Sequence, residues 1–223
     1  MGSSIAIIDY CKGNLASVQR CLADLGYDAT ITDRPEQIRA ADGLVLPGVG
    51  AFADAMQTMD KGGLSDAVRD AVTDGVPFLG ICLGLHLLFD WGDEGMPEGE
   101  RMDGLGLLPG HVERMASHDA AGTKFKIPHV GWNSVDFTER GAENPLFEGV
   151  SSHEYFYFTH SYCAVPDDPS DIIATTEHAE RFCSGVNRGM VFGVQFHPEK
   201  SSRLGFKVFG NFGHIVDAQS SRI

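Results

Sequence analysis

The first eighty residues alternate short apolar runs with stretches of helical spacing, and that alternation leaves few folds open. Residues 5–8 form one such run, ending at Asp9; Leu15, Val18, Leu22 and Leu25 then recur at helical intervals before Gly26. Runs at 29–32 and 44–46 follow, the second closed by Pro47 and Gly48, and Val68 and Val72 mark a helix ahead of a run at 76–79. Apolar runs of this length read as strands buried on both faces, and the helices between them supply the crossovers that parallel pairing needs. The expected architecture is α/β, three-layered, with a mostly parallel central sheet flanked by helices. The C-terminal half changes character. Runs near 132–137, 154–160, 171–175 and 190–196 are β-rich with few helical intervals between them, which predicts antiparallel additions to the sheet. A last helix places Leu204, Val208, Phe212 and Ile215 on one face, and the Gly- and acid-rich stretch 91–101 reads as an exposed loop. No repeat or long linker divides the chain, so 1–223 is read as one domain.

A chain of 223 residues can bury roughly 70–75% of its unfolded surface, so it needs neither disulfide nor metal to hold a core. Its formal charge of −14 repels a phosphate backbone, which argues against nucleic acid as a partner. The five cysteines, at 11, 21, 82, 163 and 183, are odd in number and show no CxxC spacing. With no leader pattern ahead of them, a reducing cytoplasm is the expected setting. No apolar run reaches the length needed to span a bilayer, so no membrane role is expected. His111, His118 and His129 are too far apart for a local ligand pair, so neither metal nor cofactor is expected.

The sharpest local signal is Gly80-Ile81-Cys82-Leu83-Gly84, between an apolar strand and the run 85–89. A nucleophile at a strand-to-helix turn needs small neighbours so that its side chain projects into a cleft. A helix starting there would place its positive end near the sulfur and favour thiolate, while backbone N–H groups could hold an oxyanion. Read alone, Cys82 could equally be a small buried hydrophobe in a glycine turn. A thiol needs a base, and His197 is the strongest of nine histidines: it ends the apolar run Val194-Gln195-Phe196-His197, with Glu199 two residues on to orient the imidazole. A strand-terminal histidine beside a solvated glutamate is the plainer alternative. The order nucleophile, histidine, acid differs from that of the α/β-hydrolases, which argues against that fold family. Gly48, Gly50 and Ala53 match a permissive dinucleotide fingerprint, but the loop follows the third strand and lacks the acid expected about 20 residues on. Bare glycines there serve better to bring N–H groups close to a reacting carbonyl.

These segments resemble those of the class I glutamine amidotransferases, and more narrowly of the glutaminase subunits of imidazole glycerol phosphate synthase in histidine biosynthesis. Gly80–Gly84 and His197-Pro198-Glu199 carry the wider resemblance. Ile7-Ile8-Asp9-Tyr10 with Gly13-Asn14-Leu15, the loop 46–52, Pro128-His129-Val130-Gly131-Trp132-Asn133, the run 157–162 and the run 195–201 carry the narrower one. The resemblance implies Cys82 as nucleophile, His197 as general base and acid, and Glu199 as its orienting partner. It implies an oxyanion hole from the Leu83 N–H and the loop Gly48-Val49-Gly50. Ser161 and Tyr162 would hold the amino-acid end of glutamine, and His86 stands where the family usually has a glutamine close to that substrate. Cys11 stands where a glycine is common. Trp132 and Lys200 would face a barrel-shaped cyclase subunit that receives ammonia to make imidazole glycerol phosphate and an aminoimidazole carboxamide ribotide. An amidotransferase serving another acceptor, and a stand-alone cysteine peptidase or gamma-glutamyl hydrolase, share the same grammar; the latter would act without a partner.

Overall fold

The computed structural model describes residues 3–221. In chain order it begins β1 (Ser4–Ile8), α1 (Leu15–Asp24), β2 (Asp28–Thr32), α2 (Pro35–Ala40), β3 (Gly43–Gly48), α3 (Phe52–Lys61), α4 (Leu64–Thr73), β4 (Phe78–Cys82) and α5 (Leu83–His86). There follow β5 (Trp91–Gly92), β6 (Met102–Asp103), β7 (Gly110–Arg114), β8 (His129–Phe137), α6 (Glu139–Ala142), β9 (Glu154–His160) and β10 (Tyr162–Pro166). Then come β11 (Ile172–Glu177), β12 (Arg181–Arg188), β13 (Val191–Val194) and α7 (Ser202–Ser220).

The strands β2-β1-β3-β4-β13 lie side by side and run parallel. From β13 the sheet continues antiparallel through β12, β10 and β7, and β11 leads off to the β8–β9 hairpin. Alternation along each central strand divides the core in two. Ala6, Ile8, Leu44, Leu46 and Phe78 pack on one face with α3 and α4. Ile5, Ile7, Val45, Leu79 and Ile81 pack on the other with Val18 and Leu22 of α1 and Val208, Phe212 and Val216 of α7. Period-two side-chain alternation within a doubly covered sheet is what makes these runs continuously apolar.

Three features depart from the sequence reading. The run expected at 76–79 becomes a strand only from Phe78, because Val76 still donates to the Ala71 carbonyl in the turn that ends α4. Helices α2 and α3 and strands β7, β10 and β12 are additional to that reading; α3 buries Phe52, Ala55, Met56 and Met59 at helical spacing, whereas β12 buries Ser184 and Asn187 among its apolar residues, which erases the alternation. The stretch 91–101 is not simply an exposed loop. It begins in a two-residue strand paired with β6 and β7, and Glu94 folds back so that its carbonyl accepts from the Ala53 N–H at the start of α3. Among the described residues no helix is long and apolar enough to cross a membrane, and no group of side chains could hold a metal ion.

Candidate active site

Cys82 is the last residue of β4 and adopts φ +55°, ψ −108°. That is a sparsely populated conformation for a residue with a Cβ, and it holds the thiol out of the sheet plane. Two glycines make the turn feasible. A Cβ on Gly84 would overlap the Leu46 carbonyl oxygen, and one on Gly80 would lie 2.5 Å from the Gly84 carbonyl oxygen. The helix that follows is α5, only four residues long. It therefore supplies far less macrodipole than a full helix would, and what it brings to the sulfur is chiefly its first free N–H groups, Leu83 foremost.

β13 lies beside β4, pairing Val194 with Ile81, so the chain leaves both strands at the same rim. His197 follows three residues beyond β13, fixed there by its N–H to the Tyr157 carbonyl and by the Ser201 hydroxyl donating to its carbonyl at 2.7 Å. Its Nδ1 lies 2.9 Å from Glu199 Oε1, and both side chains are buried. Burial alone would lower the imidazole pKa. The nearby Cys82 sulfur and the hydrogen-bonded Glu199 carboxylate outweigh it and raise it to about 9. This is the ion-pair logic of a thiol and an imidazole sharing a proton. Nε2 itself is buried without a formed hydrogen bond, so the coupling to sulfur falls short of an N–H···S bond in this arrangement. The thiol instead has Thr159 O at 3.9 Å and Gln195 Nε2 at 3.7 Å.

Cys82 opens into a cavity of about 210 Å³. Val49, Gly50, Leu83, His86, Ser161 and Tyr162 share its lining with the sulfur. Gly48 is not part of the lining; it pairs in register with Cys82, and a Cβ there would fall on the Tyr10 hydroxyl, so its bareness serves packing. His86 reaches the cavity, but its Nε2 is engaged with Gln195 Oε1 at 2.7 Å, leaving only Nδ1 without a partner. Trp132 and Lys200 lie outside the cavity against Tyr157: the indole is edge-on to that ring at 6.2 Å, and the Lys200 ammonium sits 5.5 Å from its centre.

Glu94, Thr159 and Gln195 went unread in the sequence. Glu94 is the one carboxylate lining the cavity. Burial pushes its pKa up, while the hydrogen bond from the Phe52 N–H pulls the other way. Nothing in the run Asp93-Glu94 distinguishes that carboxylate from its solvated neighbour. Gln195 had one usable signal: a polar residue within an apolar strand end, adjoining the histidine, must find a buried partner.

The profile for glutamine amidotransferase class-I matches residues 6–213. The chain belongs to that family. Its relatives include the protein named imidazole glycerol phosphate synthase subunit HisH of Moorella thermoacetica, 51% identical with 95% of each chain covered. The same subunit of Syntrophotalea carbinolica is 45% identical over 95% of this chain and 100% of that one. That of a Geobacillus species is 43% identical over 97% and 99%. Within the class, the chain therefore falls among the HisH subunits. Solved structures agree on the fold: PurLQS from Thermotoga maritima matches with a TM-score of 0.71 at 18% identity, covering 96% of this chain and 99% of that one. The glutaminase domain of CTPS from Trypanosoma brucei gives 0.66 at 16% identity, over 99% and 94%.

Proposed function

We propose that the chain hydrolyses glutamine to glutamate and ammonia through a thioester on Cys82, and delivers the ammonia to a cyclase subunit of imidazole glycerol phosphate synthase. The observation that carries the chemistry is a thiol at a strained strand end, charge-coupled to a buried His197–Glu199 pair and open to a cavity of amino-acid size. The thiolate attacks the carboxamide carbon, and the oxyanion is received by N–H groups of Leu83 and of the Val49–Gly50 loop. Each such donor is worth about 3–4 kcal/mol at the transition state. His197 gives its proton to the departing nitrogen, because an amide anion is too poor a leaving group. The ring, neutral again, takes a proton from water as it attacks the thioester, and glutamate and free thiol result.

Recognition of the amino-acid end is assigned to residues that share the cavity lining with Cys82: Ser161 and Tyr162 for the α-carboxylate, and the carboxylate of Glu94 as acceptor for the α-ammonium. Glu94→Gln is expected to raise KM for glutamine about tenfold or more, the scale of one charge-assisted hydrogen bond, with kcat within a few-fold. Steady-state glutaminase kinetics of the complex measure this; a fall in kcat at unchanged KM would remove Glu94 from ammonium recognition.

The partner's seat is the outward face of the β8–β9 hairpin. Val130, Trp132 and Tyr155 are each more than half exposed there, and alternate with buried His129, Phe156 and Phe158. Thr159, register partner of Val130 on the same outward face, also lines the cavity, and its backbone carbonyl lies 3.9 Å from the sulfur. A subunit covering this apolar patch therefore also covers the cavity mouth, as an enzyme that must keep ammonia from protonation in bulk water requires. The barrel-shaped cyclase fits this seat, with Lys200 beside Tyr157 at its rim. All five cysteines are free thiols, in keeping with a reducing cytoplasm.

The test is to assay glutamate release by the purified chain alone and mixed with the cyclase subunit. Release that depends on, or rises with, the cyclase supports the reading. Undiminished hydrolysis of peptide-like substrates without a partner would favour a stand-alone hydrolase, and no glutamate in either assay would overturn the proposal.

A further inference from the structure

Cys82 has a second neighbour besides His197, and that neighbour is itself held by His86 at the end of α5. Gln195 Nε2 lies 3.7 Å from the sulfur, while its Oε1 is 2.7 Å from Nε2 of His86. Both side chains are buried, Gln195 completely. From this arrangement the geometry points to Gln195 as a positioning residue for the Cys82 sulfur, with His86 locking its amide in the orientation that donates to sulfur. The inference rests on the reading of Cys82 as nucleophile and goes beyond it.

The orientation follows from proton counting. Burial pushes the His86 pKa down to about 4, against the opposing pull of Gln195, so the ring is neutral and carries a single N–H. Nδ1 is buried without a partner, so a proton placed there would be orphaned. The proton therefore sits on Nε2 and donates to Gln195, which must present its carbonyl oxygen. The amide NH2 is then turned toward Cys82. Had the amide the opposite orientation, its oxygen would face sulfur; that suits a thiol but repels a thiolate. The remaining near neighbour, the Thr159 carbonyl oxygen, is also an acceptor. Besides His197, Gln195 is thus the side chain that brings an N–H within hydrogen-bond distance of the sulfur, and His86 keeps it so. A hydrogen bond donated to the charged form lowers a group's pKa.

The experiment measures alkylation of Cys82 by iodoacetamide against pH in the full chain, followed on the Cys82 peptide by mass spectrometry. It reads the sulfur directly and needs no glutamine turnover. Gln195→Glu keeps the bond to His86 and turns a carboxylate oxygen to sulfur. It is expected to move the alkylation midpoint up by about one pH unit or more, roughly a tenfold loss of rate below the midpoint. Gln195→Leu, which removes the donor without adding charge, is expected to shift the midpoint the same way by a smaller amount, and the nearly isosteric Gln195→Glu stands in if it does not fold. His86→Leu is expected to move the midpoint in the same direction by a smaller amount. His86→Gln, whose amide can again donate to Gln195, is expected to return it toward the original value. A midpoint unchanged in Gln195→Glu, or a shift in Gln195→Glu with none in His86→Leu, overturns the inference while leaving the nucleophile in place. A Cys82 that resists alkylation at every pH overturns the nucleophile assignment and this inference with it.

Discussion

Cys82→Ala is expected to abolish glutamine hydrolysis, by about 10⁴-fold or more, while the complex continues to form its cyclised product from added ammonium salts. The two halves of that outcome come from different parts of the molecule. In the proposed route the sulfur is the atom that forms the thioester, and His197 and Glu199 would act through it as one unit, so nothing of that route remains. Val130, Trp132 and Tyr155, the proposed seat of the partner, lie on the outward face of the β8–β9 pair. Alanine at position 82 leaves them untouched. Parallel assays with glutamine and with ammonium salts measure both halves. If ammonia-dependent synthesis fell as well, Cys82 would be a structural residue and the chemical reading would fail.

Gly84→Ala is expected to cost more activity than stability. The added methyl would collide with the backbone oxygen of Leu46, a buried strand residue that cannot rotate away. The short helix α5 must then lift from β3. Overpacking of this kind typically costs about 1–3 kcal/mol, enough to lower Tm by several degrees for a chain of this size. The same shift carries the Leu83 N–H away from the oxyanion position and disturbs the backbone of Cys82, and a displacement of about 1 Å at a reacting centre can cost about 10²-fold in rate. Thermal melting and glutaminase kinetics on the same preparation separate the two effects. Activity within a few-fold of the original, at a lowered Tm, would show that the nucleophile turn tolerates displacement and would weaken the geometric argument for its glycines.

Much of the architecture was legible before any coordinates. The runs 5–8 and 44–46 are strands because they are continuously apolar between helical stretches, and a parallel strand covered on both faces leaves no polar side to show; β2, at the sheet edge, keeps only Ala29 and Ile31 between its threonines. The limits of the reading are equally physical. α2, six residues long with Ile38 alone buried, hardly establishes a period; α3 does carry one, in Phe52, Ala55, Met56 and Met59, and was legible though not read. β12 escaped because polar Ser184 and Asn187 are buried among its apolar residues, Asn187 accepting from the Asn144 side chain at 3.0 Å, and so it has no alternation to display. At the site, Gly80–Gly84 announced a special turn, but the helix expected to polarise the sulfur proved to be a single turn; apolar residues continue to Phe89, and composition does not reveal that the chain has already bent away.

What the sequence determined by itself was local: which segments are strands in the parallel half, where the chain must turn without a Cβ, and which residue types were available as nucleophile and base. The tertiary structure alone decided which of them meet. β13 inserts beside β4 although Ile81 and its register partner Val194 lie far apart along the chain, and that choice of neighbour brings His197, Glu199 and Gln195 to the thiol. It is made by the summed burial of the whole sheet, so no window of residues contains it. The same holds for Glu94, carried into the cavity by a hairpin docked on α3, and for His86, whose single proton has a direction only because Gln195 stands opposite.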